Sequence, residues 1–360
     1  MTTGTSLPAA AAHSPAAPSS PAPAPARSPA PAAVSADLPS YAELPVTPGA
    51  PPGSSWGLWG AEDRLGTLNL LTPARLAAGV ATVRDHRVIP LDLPLDVPGP
   101  PLFRRSRFQH TIRALPVGRD ETLSDWNPQG SSQWDGFGHV RHPRWEYYNG
   151  LPCTDHGMEH WASRGIAGRA VLVDVDRYLG AAGRPIDHAS SVAVTPDDLA
   201  GALAAQGTTV ETGDILLIRT GWLGWYRAGS ARRRARLGEA MAEELANPGL
   251  APGREMAAFL WDLHPAAVAV DNPAVEVWPR GWPLSRAQAT SWLLDPAHCE
   301  DVFLHFLLVP LLGMALGELW DLDELARACH GDGRYECLVV SAPLHLPGGV
   351  SSPANAVALR

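Results

Sequence analysis

The sequence predicts an α/β fold, and three observations carry that reading. Short apolar runs of the kind that fill buried strands cover 168–175 and 214–219. Two capping signals, Thr72-Pro73 and Thr195-Pro196, put an N-cap hydroxyl in front of a proline at the first helical position. Strand and helix signals alternate along the chain, which is how strand–helix–strand units read. Taken in order, the elements are a helix over 73–83, a strand over 88–93, a strand over 168–175 and a helix over 196–206. A strand over 214–219, an Arg/Glu/Ala-rich surface helix over 231–246, a strand over 266–270, a helix over 321–328 and a strand over 337–346 complete the series.

The chain has 360 residues, 45% of them apolar and 18% charged, which is ample material for a large core. Residues 1–38 differ from the rest. Ala, Pro, Ser and Thr dominate there, and such a stretch cannot bury enough apolar surface to offset its chain entropy. The expectation is a disordered tail over 1–38 and a single domain over 39–360. Lysine is absent, since all 28 basic residues are arginine, so Schiff-base, pyridoxal-phosphate and phosphate-loop chemistry are excluded. A net charge of −9 with no long basic tract argues against nucleic acid. No apolar run is long enough to span a bilayer. Cys153, Cys299, Cys329 and Cys337 form no C-x-x-C pair and read as free thiols in a reducing cytoplasm.

The stretch Gln129-Gly-Ser-Ser-Gln133-Trp-Asp135-Gly-Phe-Gly-His139 concentrates polar chemistry. If extended, its period of two puts Gln129, Ser131, Gln133, Asp135, Phe137 and His139 on one face. A G-x-S-x-G match at 53–57 follows Pro51-Pro52 rather than a strand, so it is not a nucleophile elbow. His156 and His160 have helical metal-ligand spacing but no third ligand nearby, and His142 reads as a loop residue at a pocket rim.

Together these residues resemble the cyclase family of metal-dependent hydrolases, which includes kynurenine formamidase and isatin hydrolase. The resemblance runs from about Ser54 to Arg360. It covers Trp56 to Asp63 with Gly66 to Thr72, Trp134-Asp135 with His139, and Tyr148-Asn149-Gly150. Gly165 to Asp174, Gly213 to Trp222, His305 to Glu318 and Pro343 to Gly349 continue it in the same order. It implies a mixed, partly closed β-sheet with flanking helices, the swivelling β/β/α arrangement. It also implies a signature H-x-x-x-H-x-D-x-x-x-H, in which the aspartate falls on Asp135 and the acid/base histidine on His139. A later histidine and glutamate fall on His305 and Glu318. The two early histidines fall on Gln129 and Gln133, a departure from the pattern.

Glutamine offers a neutral oxygen where imidazole offers nitrogen, which disfavours zinc and favours a harder ion. The resemblance thus implies one divalent ion, manganese, magnesium or zinc, held by Asp135, His305 and Glu318 with Gln133 and Gln129 beside them. Trp59, Trp134, Phe137 and Asn272 are the candidates for contacting substrate. The expected reaction is hydrolysis of an amide, lactam, lactone or ester bond in a small aromatic molecule by metal-activated water, with His139 as acid/base. Two other readings stand beside it: a metal-free cyclising or dehydrating enzyme, and a silent small-molecule-binding protein. The resemblance further implies a homodimer or homotetramer.

Overall fold

In a computed structural model, which describes residues 38–279, 281 and 283–360, thirteen strands are formed. They are β1 (Val88–Pro90), β2 (Gln109–Leu115), β3 (Gly118–Ser124), β4 (Gln133–Asp135) and β5 (Ile166–Asp174). Then come β6 (Ala193–Val194), β7 (Ile215–Arg219), β8 (Gly249–Leu250) and β9 (Ala267–Val270). The last are β10 (Ala315–Glu318), β11 (Glu336–Ser341), β12 (Ser351–Pro353) and β13 (Ala356–Leu359). The expected tail falls outside the described residues, except for Leu38.

Nine strands make one mixed sheet in the order β1-β13-β11-β5-β7-β9-β10-β4-β12, curled into an open half-barrel with flanking helices. Its centre, β5-β7-β9-β10, is parallel, and both margins are antiparallel. The centre is buried along nearly its whole length, which is why 168–175 and 214–219 read as unbroken apolar runs. The helix Pro73–Val80 lies on β5 and β11, and it approaches so closely that a Cβ on Gly79 would sit 2.8 Å from the Arg169 backbone nitrogen. Both capping signals are realised: Thr72 accepts from Arg75 N, and Thr195 accepts from Asp198 N.

The boundaries differ from expectation where local chemistry stops an element. The surface helix ends at Glu239, because Ala240 turns extended. The final long strand ends at Ser341, just before Ala342-Pro343. The ribbon β2–β3 gives no period-two signal, since both of its faces are exposed. No helix among the described residues is long and apolar enough to cross a membrane.

Candidate active site

The site is built across β4 and β10. Alternation on β4 puts Gln133 and Asp135 on one face and Trp134 on the other. Antiparallel register places Glu318 directly opposite Gln133, and Gln133 Nε2 donates to Glu318 Oε2 at 2.7 Å. The same nitrogen lies 3.4 Å from Asp135 Oδ1. Between them Gly317 faces Trp134, and the Trp320 indole folds over it to donate to Gln133 O at 3.1 Å. A Cβ at position 317 would lie 2.5 Å from that indole nitrogen, so glycine is required there.

His305 enters from the segment between the helix Cys299–Val302 and the π-turn Leu307–Leu311. Its Nε2 is 3.3 Å from Glu318 Oε1 and 3.8 Å from Asp135 Oδ2. Its Nδ1 donates to Glu276 Oε2 at 2.7 Å, and the Phe303 ring stacks on it at 4.6 Å. A turn after β4, closed by His139 N donating to Gly136 O at 2.9 Å, brings His139 back to the same place. His139 Nε2 lies 3.8 Å from Asp135 Oδ1. Gln129 sits on the 3-10 turn Pro128–Gly130, where Asn127 Oδ1 accepts from its backbone nitrogen. Its Nε2 donates to Asp135 Oδ1 at 2.9 Å and is 3.1 Å from each ring nitrogen of His139.

Burial and charge pull these groups apart. Burial would raise Asp135, but His139, His305 and Arg105 hold its carboxyl well below the usual carboxylate range. Glu318 goes the other way, pushed up to about 7 by burial and by the charge on Asp135. Burial would lower His305, yet Glu276, Asp135 and Glu318 raise it well above the ordinary imidazole value. Burial holds His139 below its ordinary value despite Asp135, which favours the neutral, proton-accepting ring.

The donor set fits a divalent cation. Asp135, His305 and Glu318 each offer a ligand atom, and these atoms all lie within 4.8 Å of one another. All three side chains are buried, and Asp135 Oδ2 and Gln133 Oε1 have no hydrogen-bond partner among the described residues. Two carboxylates, one imidazole and a free amide oxygen form a mixed, oxygen-rich set. Glu276 fixes Nδ1 of His305 and so leaves Nε2 facing the carboxylates, the usual orientation of a metal-binding imidazole.

The structure brings together Asp135, His139, His305, Glu318, Gln129 and Gln133, and it places the four candidates for substrate contact as follows. Trp134 is fully buried on the far face of β4, packed on Trp161 and Trp320, with Nε1 donating to Ser341 Oγ at 2.9 Å. Phe137 is core as well, because β4 ends at Asp135 and the following turn sends its ring toward Tyr148 and Trp161. Trp59 packs edge-on against Trp261, and no contact among the described residues joins it to Asp135. Asn272 turns its amide nitrogen to the carbonyls of Pro248 and Ala274 and acts as a backbone brace. Ser131, expected on the same face, instead donates to the Pro94 and Val97 carbonyls. His142 is fully buried rather than at a rim, with Nδ1 accepting from Arg144 N and Trp145 N. His156 pairs with the Tyr148 carbonyl at 3.0 Å, consistent with a structural role.

Two residues at the site were not anticipated. Glu276 could have been noticed as a lone acid inside the apolar stretch 274–278, since a buried charge demands a partner. Arg105, whose Nη1 donates to the Gln129 carbonyl, has no such local signal.

The fold is thus an α/β scaffold with a curled mixed sheet that carries a buried cluster of two carboxylates and an imidazole able to hold a metal ion. The sequence matches the Cyclase family model over residues 73–277, and the chain belongs to that family. Among solved structures it is similar to one described as a novel cyclase, at 29% identity and a TM-score of 0.70, covering 85% of this chain and 97% of that one. Two isatin hydrolases A share the fold. That from Labrenzia aggregata, bound to benzyl benzoate, has 18% identity and a TM-score of 0.54, covering 79% of this chain and 97% of its own. That from Ralstonia solanacearum has 19% identity and a TM-score of 0.52, covering 79% and 95%. No curated protein matches the sequence significantly.

Proposed function

We propose that the chain is a hydrolase that opens an amide, lactam, lactone or ester bond of a small aromatic molecule, acting as a cytoplasmic homodimer or homotetramer. The observation that carries this reading is the buried triad Asp135, His305 and Glu318, with ligand atoms within 4.8 Å and His139 Nε2 at 3.8 Å from Asp135 Oδ1. Asp135, His305 and Glu318 would hold one divalent ion, with Gln133 Oε1 as a further oxygen donor. Such an ion supplies Lewis acidity toward a carbonyl and lowers the pKa of water.

The chain's own residues do the rest. Glu276 holds the His305 ring in one orientation. Gln129 and Gln133 fix the Asp135 and Glu318 carboxylates through their amide nitrogens. His139, whose side chain is 27% exposed, is the member of the cluster open to an incoming molecule. As a neutral imidazole it takes a proton at a ring nitrogen from the attacking water and returns one to the leaving nitrogen or oxygen.

One observation favours a second reading, a metal-free enzyme of the same scaffold. The amide nitrogens of Gln129 and Gln133 already donate to Asp135 and Glu318, so neutral groups satisfy part of both carboxylates. A panel of aryl amides, lactams, lactones and esters, followed by release of the carboxylate product, tests the proposal. Turnover that falls at least about a hundredfold in His139→Ala supports it. Turnover at the wild-type rate in that variant removes the acid/base role, and no hydrolysis of any member contradicts the reading.

A further inference from the structure

Next to the site stands a cation that forms no salt bridge among the described residues, Arg105. Arg105 follows Phe103 and Arg104, which both adopt left-handed backbone conformations (φ 57° and 55°). Residues bearing a Cβ disfavour that region, and consecutive examples are the kind of strain that accompanies a functional constraint. Its effect is visible in the neighbours: Arg104 stays exposed, while Arg105 turns inward to donate to the Gln129 carbonyl. The Phe103 ring lies 5.2 Å from the Arg105 guanidinium carbon and is itself packed edge-on against Trp278 at 5.1 Å. That wall supports the guanidinium.

The remaining N–H groups of Arg105 have no hydrogen-bond partner among the described residues, and no carboxylate among them lies within 4.0 Å of its nitrogens. The residue whose carbonyl it grips, Gln129, donates from its own side chain to Asp135 at 2.9 Å, so Arg105 stands next to the site, where the charges on Glu318 and Asp135 partly offset the cost of its burial. A half-buried guanidinium with open donors and no ion pair is incomplete. Its planar fork matches one ligand chemistry above others, a carboxylate taken by two parallel hydrogen bonds.

We propose that Arg105 is the anion-binding residue of this site and takes the carboxylate that bond opening creates. The inference rests on the hydrolytic reading. There, the water oxygen forms a new bond to the carbonyl carbon, and the C–N or C–O bond breaks with its electron pair leaving on nitrogen or oxygen. That atom takes one proton, and the acid formed gives up the other. A neutral substrate thus becomes an anionic product beside a waiting cation. Arg105 orients that acyl group, whose carbonyl oxygen gains negative charge as the water oxygen adds to the carbon and shares it in the carboxylate once the bond has opened.

Benzoate and benzamide share a ring and differ in charge, so they probe this residue. Each is titrated into the full-length protein by calorimetry, with circular dichroism checking the fold of each variant. Wild type should bind benzoate at least about tenfold more tightly than benzamide. Arg105→Gln should weaken benzoate about tenfold or more and leave benzamide unchanged. Arg105→Lys, which keeps the charge and loses the fork, should fall between the two and serves as the test if Arg105→Gln does not fold. Equal benzoate affinity in wild type and both variants overturns the proposal. So does a parallel loss for benzoate and benzamide, the result of a residue that only braces Gln129. Turnover does not enter this measurement. A protein that hydrolyses nothing yet needs Arg105 for benzoate contradicts only the hydrolytic reading, whereas a working hydrolase indifferent to Arg105 contradicts only this inference.

Discussion

Gln133 Nε2 donates to Glu318 Oε2 at 2.7 Å from the position directly opposite on the neighbouring antiparallel strand. The amide nitrogen thus steadies a carboxylate and leaves Gln133 Oε1 without a hydrogen-bond partner among the described residues. Removing it leaves a buried acid short of a donor. Gln133→Met, of similar volume, should destabilise the metal-free protein by about 1–3 kcal/mol. Urea unfolding measures this, and an unchanged midpoint would show that the bond contributes nothing.

Glu276 acts on the site through His305. Its carboxylate fixes Nδ1 at 2.7 Å, and groups in that position usually alter metal affinity about 10- to 100-fold. Glu276→Gln should weaken divalent-ion binding by that order while His305 stays in place. Competition against a coloured chelator gives the ratio, and equal affinity in the two proteins refutes the role.

Trp134 belongs to the core, not to the pocket. It lies fully buried between Trp161 and Trp320. Trp134→Ala should cost about 3–5 kcal/mol of stability, as large aromatic truncations do. The folded fraction should keep its ligand affinity. A variant of wild-type stability with a weakened ligand would return Trp134 to the pocket wall.

His156 makes stability depend on pH. Burial lowers its pKa from 6.5 to about 4, so the folded protein holds it neutral while the unfolded chain protonates it below about pH 6.5. The unfolded state then binds more protons, and stability falls as pH drops through the window from about 6.5 to 4. Between pH 7 and 5 wild type should lose about 2 kcal/mol more than His156→Gln. Urea midpoints at the two pH values decide it, with equal losses counting against the assignment.

The α/β class was legible because the parallel strands are buried on both faces and leave unbroken apolar runs. Asp135 and His139 were legible from residue type and spacing, and His305 and Glu318 from family resemblance, since they come from distant elements. Phe137 was misplaced because the period of two was carried past Asp135, where the strand ends in a turn. The same turn returns His139 to the site by a different route from the one expected. Trp134 sits on the opposite face of a three-residue strand, and its neighbours Trp161 and Trp320 fill a core that no local pattern announces. Arg105 is set by tertiary placement of a strained loop, to which a single sequence gives no key.

The central claim is that Asp135, His305 and Glu318 hold a divalent ion. Elemental analysis of protein purified without chelators, compared with Asp135→Ala, tests it most directly. The account predicts close to one ion per chain in wild type and almost none in the variant. Wild type without any ion, or equal content in the two proteins, would contradict it.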